Sequence, residues 1–385
     1  MKSPRPSTPS PQPLRILEIG SPELFVLGVP QQTEYFWVGS KPPYSRTLRP
    51  LGPISMIKCL RRLRRGEFDL LVVHALQYPP WHPRSFLMVM REWKIRAIRG
   101  LFATVAWRFM HFWHDVPVAA VDLIDPCLIG SHNFSLFDRC QAYFKRELPS
   151  DHWLVFCKSG YPNFPGRRWR SSARYRRRVN KLRPISLGVF PPSEDIGAAE
   201  KTADIFFSGS VEFNSTVRVA GMRELRQLAS ESYVVDIPAE RLDRQAFLRR
   251  MSSAWLAWSP SGLGWDCLRH CEAPLAGAVP LINDPTILRY APLKAGEHCV
   301  LYPVEPGGLA EAARRALADK SRLRKMAQAA AAHVREHHSF HARAEYVTMT
   351  VLGRRLDGSR VEPAEAPVNT EATPSVRSVA SNARA

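Results

Sequence analysis

At 385 residues the chain is long enough for two domains with full cores, and a hydrophobic fraction of 45% excludes wholesale disorder. No stretch reaches the roughly 18 uncharged apolar residues of a membrane span, and the opening MKSPRPSTPSPQP lacks the apolar core of a secretory signal. The net charge of +19 sits almost wholly in the first half: residues 1–190 hold 30 Lys and Arg against 12 Asp and Glu, whereas residues 191–385 hold 24 against 23.

In chain order, residues 1–13 read as a disordered arm. LRILEIG (14–20) is a strand closing on glycine, a basic helix surrounds CLRRLRRGE, and FDLLVVHAL (68–76) is a buried strand. Ile95, Ile98, Phe102, Val105, Phe109 and Phe112 form an apolar stripe at helical spacing, and Trp93, Trp107 and Trp113 mark an amphipathic basic helix over 88–113. VPVAAVDLID (116–125) is another buried strand. After a proline-rich linker the pattern restarts. Strands are predicted at 204–210, 233–237, 255–259, 278–282 and 298–303, and helices near 222–228, 241–251, 265 onward, and 308 to about 351. Residues 357–385 read as a disordered tail. Two βα-alternating halves imply two doubly wound, Rossmann-like α/β domains facing a central cleft, over 14–190 and 204–356 with a linker at 191–203.

The densest chemistry lies in SPSGLGWDCLRHCEAPLAGAVPLIN, 259–283. Strand, glycine loop, helix, glycine and strand make one βαβ unit. Ser261, Gly262 and Gly264 let the backbone bend and approach a ligand, and a helix from Trp265 or Asp266 aims its N–H groups above the loop. Arg269 suits phosphate oxygens and Glu272 ribose hydroxyls, so the arrangement describes a nucleoside diphosphate site. Two rival readings stand beside it: a buried helix with a solvated polar face, and a zinc site drawn from Cys267, His270, Cys271, His298 and Cys299, whose spacing is loose for zinc. Gly209 ends a strand, and Arg218 and Arg223 follow it either as arginines that close over a pyrophosphate or as a solvated helix face.

This stretch resembles the signature region of GT-B glycosyltransferases of the group-1 type, closest to the spore-maturation-like and exostosin-like branches. DIFFSGS and the helices of 305–346 share the likeness, which is good over 204–350 and only topological before that. The resemblance implies a glycosyltransferase using a nucleoside-diphosphate sugar, with Glu272 on the donor ribose and Arg269 and the Gly262–Gly264 loop near the diphosphate. It implies a basic acceptor-side first domain and a donor-binding second domain. Many group-1 members carry a further glutamate seven or eight residues before Glu272; here that region reads Ser-Gly-Leu-Gly.

A catalytic base is expected at strand ends of the first domain, and the candidates are His74, Asp122 and Asp125, with His114 just before the second strand. The chain has no D-x-D, which favours arginines and a helix dipole in place of a metal, so no metal and no cofactor are expected. The run from Arg167 to Arg183 holds nine basic residues and no acid, with Trp169 and Tyr175 between them. It suits an anionic bilayer or an anionic, lipid-linked acceptor glycan. Nucleic acid is disfavoured because no recognised binding module accompanies the run. Scattered cysteines without a CxxC pair fit a reducing, cytoplasmic location, with docking on the inner face of the membrane. The expected role is surface glycan or glycoconjugate synthesis. The competing class is an inactive GT-B-like or basic nucleic-acid-binding protein.

Overall fold

A computed structural model describes residues 12–21, 23–38, 49–77, 110–157, 170–189, 199–211 and 215–361. The expected arm up to residue 11, the linker over 190–198, the tail from 362 and the apolar stripe over 95–109 lie outside the described residues.

Seven strands form the first sheet: β1 (Ile16–Ile19), β2 (Thr33–Trp37), β3 (Arg49–Pro50), β4 (Leu70–His74), β5 (Val118–Asp122), β6 (Ala142–Lys145) and β7 (Leu182–Pro184). Their order is β3-β2-β1-β4-β5-β6-β7, every pair parallel. A parallel sheet covered on both faces needs strands that are apolar throughout, and LLVVH and VAAVD are buried at every position. Their pleat divides two cores. Leu71 and Val73 join Leu17, Leu63 and Phe137 on one face, while Leu70 and Val72 join Ile16, Phe25 and Val121 on the other. The helices are α1 (Phe25–Gly28), α2 (Pro53–Arg64), α3 (Phe134–Arg139) and α4 (Ala173–Lys181).

The second sheet holds β8 (Ala203–Phe206), β9 (Val235–Asp236), β10 (Ala254–Trp258), β11 (Val279–Asn283) and β12 (Val300–Tyr302). The order is β12-β11-β10-β8-β9, again all parallel. Around it lie α5 (Thr216–Ser230), α6 (Arg244–Ser252), α7 (Leu268–Leu275), α8 (Gly308–Leu317), α9 (Lys320–His337) and α10 (Phe340–Leu352). The chain leaves β8 toward β9 on one side and returns to β10 on the other. A crevice therefore opens beyond the C-terminal ends of β8 and β10.

Helix α10, which the sequence pattern groups with the second domain, packs on the first. Ala344, Tyr346 and Val347 enter the core of Leu14, Ile16, Phe25 and Leu70, and the Tyr346 hydroxyl donates to the Pro184 carbonyl at 3.1 Å. Each large apolar side chain buried this way contributes about 1.5–3 kcal/mol. The face was legible; which sheet it would cover was not.

Candidate functional site

Two arginines converge on the crevice. Ser215 caps α5 by accepting from Val217 N, and this places Arg218 in the first turn, where its Nη1 donates to Ser210 O at 2.8 Å and its Nε to Ser261 O at 3.1 Å. Arg269, the second residue of α7, lies over the Phe207 ring at 5.1 Å and donates to Trp258 O at 3.4 Å. Both side chains are buried, and neither meets a carboxylate among the described residues. Burial first, then the neighbouring Arg269, pulls the Arg218 pKa below its ordinary value. The glycines explain the approach: a Cβ on Gly262 would fall 2.9 Å from Arg218 Nη2, and one on Gly209 would fall 3.3 Å from Arg269 Nη2. Both guanidiniums thus face the two loops that follow β8 and β10. Arg223 instead lies exposed on the outer face of α5.

Glu272 is buried one turn after Arg269, and its Oε1 accepts from Arg244 Nη1 at 2.8 Å. Arg244 opens α6 and was not singled out by the sequence. The loop is a tight turn in which Gly262 N donates to Gly264 O at 2.8 Å. Ser261 N donates to the Asn283 Oδ1 at 2.8 Å, so β11 anchors the loop as well. Helix α7 begins at Leu268 rather than at Trp265 or Asp266. Trp265 turns toward β11, donating from Nε1 to the carbonyls of Asn283 and Asp284 at 3.0 Å each.

The N–H groups expected to greet a ligand at the start of that helix have another partner. Glu147, just past β6, accepts from Trp265 N at 2.8 Å and Asp266 N at 2.9 Å. Asp266 is not beside the arginine pair: its Oδ2 accepts from Leu187 N at 2.7 Å, and its backbone carbonyl accepts from Arg146 Nη2. Arg146 also bonds Asp125 Oδ1 at 2.7 Å and Leu123 O at 3.2 Å. Burial raises both the Glu147 and Asp266 carboxyls, with Arg146 opposing. His270 is buried beneath the loop, contacts Ser259 O at 3.1 Å, and is pulled down to about 3 by burial.

The candidate bases separate by environment. His74 ends β4 fully buried, its Nε2 2.8 Å from Glu18 Oε1. Glu18 in turn accepts from Leu24 N and Val26 N at 2.8 Å each, holding the start of α1. Asp122 is equally buried and accepts from the Tyr143 hydroxyl at 2.9 Å and from Lys145 Nζ at 3.0 Å. Asp125 has a side chain 45% exposed. His114 is buried and bonds Met110 O at 3.0 Å. The residues weighed as zinc ligands are dispersed: among the described residues no three His, Cys, Asp or Glu side chains group to hold a metal, and His298 stacks on His333 with centroids 4.4 Å apart.

Residues 258–348 match the family model described as glycosyl transferase-like. No curated protein matches the chain. Among solved structures, the α,α-trehalose-phosphate synthase (UDP-forming) of Burkholderia vietnamiensis superposes with a TM-score of 0.50 at 11% identity, over 87% of this chain and 99% of that one. The sucrose-phosphate synthase of Thermosynechococcus elongatus gives 0.47 at 12%, over 86% and 96%. Anabaena HepE in complex with UDP-glucose gives 0.44 at 15%, over 88% and 99%. The family match falls on the β10–α10 region of the second domain, and the superposition on the trehalose-phosphate synthase shows that the chain shares its overall fold.

Proposed function

We propose that the protein transfers a glycosyl group from a nucleoside-diphosphate sugar to an acceptor hydroxyl. The observation that supports this most is the pair of buried arginines at the β8–β10 crevice, facing glycine loops and meeting no carboxylate among the described residues. Two desolvated cations side by side are costly without an anion, and a diphosphate supplies one. Glu272, oriented by Arg244, would accept from the donor's ribose hydroxyls. The superposed trehalose-phosphate synthase is UDP-forming, which makes UDP the first probe.

In the reaction the acceptor oxygen bonds to the anomeric carbon, and the bond from that carbon to the diphosphate oxygen breaks, its electron pair leaving with the diphosphate. Arg218 and Arg269 stabilise the charge that develops there, in the role a metal plays elsewhere. The acceptor's proton needs a base, and Asp125, paired with Arg146 but 45% exposed, is the candidate that solvent can reach.

The acceptor side is the basic first domain, and an anionic, lipid-linked glycan at the cytoplasmic face of a membrane suits it. Part of the arginine run is spent internally: Arg174 and Arg178 pair with Asp138 at 2.6 and 2.7 Å, and Lys181 Nζ donates to Phe137 O and Asp138 O. Helix α2 offers a freer face, with Ile54 72% and Ile57 46% exposed and Lys58, Arg61 and Arg64 along the same side. Apolar tips flanked by cations suit an anionic bilayer. No helix of the described residues is long and apolar enough to cross a membrane.

The test is a thermal-shift screen of the full chain against nucleoside diphosphates and their sugar conjugates, in chelator. A ligand at 100 times its Kd adds about 2.7 kcal/mol of stability. Stabilisation by at least one diphosphate is expected, and release of that diphosphate from its sugar conjugate should follow. A flat response to every one rejects the reading.

A further inference from the structure

Lys145, Arg146 and Glu147 are three successive ionisable residues, and all three are buried. Such a run is expected at a solvated turn. Here Lys145 is held by Asp122 within the first domain, whereas Arg146 and Glu147 reach into the second. Glu147 touches one segment in particular, the Gly-Leu-Gly-Trp-Asp loop that lines the arginine crevice. A Cβ added to Gly264 would lie 2.5 Å from Glu147 Oε1 and 2.6 Å from its Cδ. Gly264 does not have a positive φ, so its backbone does not require glycine. What requires glycine there is the Glu147 carboxylate, which fills the space a side chain at 264 would occupy.

We infer that Glu147 is a positioning residue for the donor loop, a carboxylate delivered from the first domain to the place where a side chain at position 264 would otherwise stand. This rests on the proposed nucleotide reading of the crevice. The two N–H groups Glu147 accepts from, those of Trp265 and Asp266, are the ones that fix where the loop turns into α7 and so where Arg269 stands. Arg146 Nε lies 3.3 Å from Glu147 Oε1 and keeps a counter-charge on it. The consequence is a coupling between domains. If the first domain moves away, the loop loses its anchor and the crevice loses its shape, so nucleotide binding and contact between the domains become one linked equilibrium.

The test uses full-length wild type, Glu147→Ala, Glu147→Gln, Gly264→Asp and the double variant E147A/G264D. An aspartate at 264 can accept from the N–H two residues on, that of Asp266, as short acidic side chains in turns do. The readouts are amide hydrogen exchange over 262–267 and affinity for UDP. E147A is expected to exchange faster there and to bind UDP about tenfold more weakly or worse, the effect of unpairing a charge-assisted acceptor. The double variant should recover both, because a carboxylate is returned from the other side of the same gap. E147Q, which keeps an acceptor oxygen, should fall between. G264D alone sets a second acid against Glu147 and should lose affinity. Wild-type exchange in E147A, a folded double variant no better than E147A, or wild-type affinity in G264D each overturns the inference. Should E147A not fold, E147Q and G264D still decide it. Should wild type not bind UDP, the UDP reading fails and the exchange arm decides alone: deprotection in E147A with recovery in the double variant supports the inference, and unchanged protection rejects it.

Discussion

Replacing Arg269 with methionine separates binding from stability. Methionine keeps an apolar stem over Phe207 and removes the charge. Arg269 gives up one long bond, 3.4 Å to Trp258 O, whereas Arg218 would give up two, at 2.8 and 3.1 Å to Ser210 O and Ser261 O. A bond of that kind contributes about 0.5–1.5 kcal/mol at best, and removing one of two neighbouring buried cations offsets it. The unliganded variant should therefore melt within about 3 °C of wild type or above it, since 1 kcal/mol moves a domain of this size by ~2–4 °C. UDP binding should tell the opposite story. A charged donor to phosphate is worth about 1.5–3 kcal/mol, so affinity should fall about 10- to 150-fold by calorimetry. A variant that melts far lower, or one that binds UDP as wild type does, would refute the pairing of Arg269 with the diphosphate.

The other expectations concern Glu272, acid stability and membranes. Glu272→Ala should weaken UDP binding by about 1–3 kcal/mol while the fold persists; unchanged UDP affinity in the folded variant would remove the ribose role. Burial pulls His270 and His338 down to about 3, so the unfolded chain takes up protons near pH 6.5 that the folded chain refuses. Stability is thus fully present above that pH and falls below it by up to about 1.4 kcal/mol per pH unit for each histidine, seen in denaturant midpoints at pH 7.5 and 5.5. Comparing wild type with His338→Asn isolates one histidine from the buried carboxyls of Glu147 and Asp266, whose raised pKa values act with the opposite sign; identical slopes would contradict it. Lys58→Glu/Arg61→Glu should release the protein from anionic vesicles at low salt more completely than Arg176→Glu/Arg177→Glu, and the reverse order would return the docking face to α4.

What the sequence disclosed and what it concealed follow from the range of the forces involved. Strands such as LLVVH and VAAVD are runs of four apolar residues closed by one polar residue and need no context to be read. Strand β2, TEYFW, opens on two half-buried residues, and β6, AYFK, ends on a lysine made tolerable in the core by Asp122 and the Ile124 carbonyl, so neither has a strand's ordinary pattern. Arg218 and Arg269 were each singled out because loop glycines and helix starts are local features, whereas their convergence, with Arg223 turned outward, follows only from the fold. Glu147 was not, since its partners at Trp265 and Asp266 lie more than a hundred residues away and a buried Lys-Arg-Glu looks like surface. The same contact explains why the free helix N-terminus expected at Asp266 has its N–H groups already engaged.

The claim that the β8–β10 crevice of the second domain is where a nucleoside diphosphate binds is tested most directly by hydrogen exchange of the full chain with and without saturating UDP, GDP, ADP and CDP in turn. The expected result is protection by at least one of them over 207–211 and 259–272, where Gly209, Ser261, Gly262, Arg269 and Glu272 lie, with none over β1 and β4. Protection confined to the first domain, or none from any diphosphate, would contradict it.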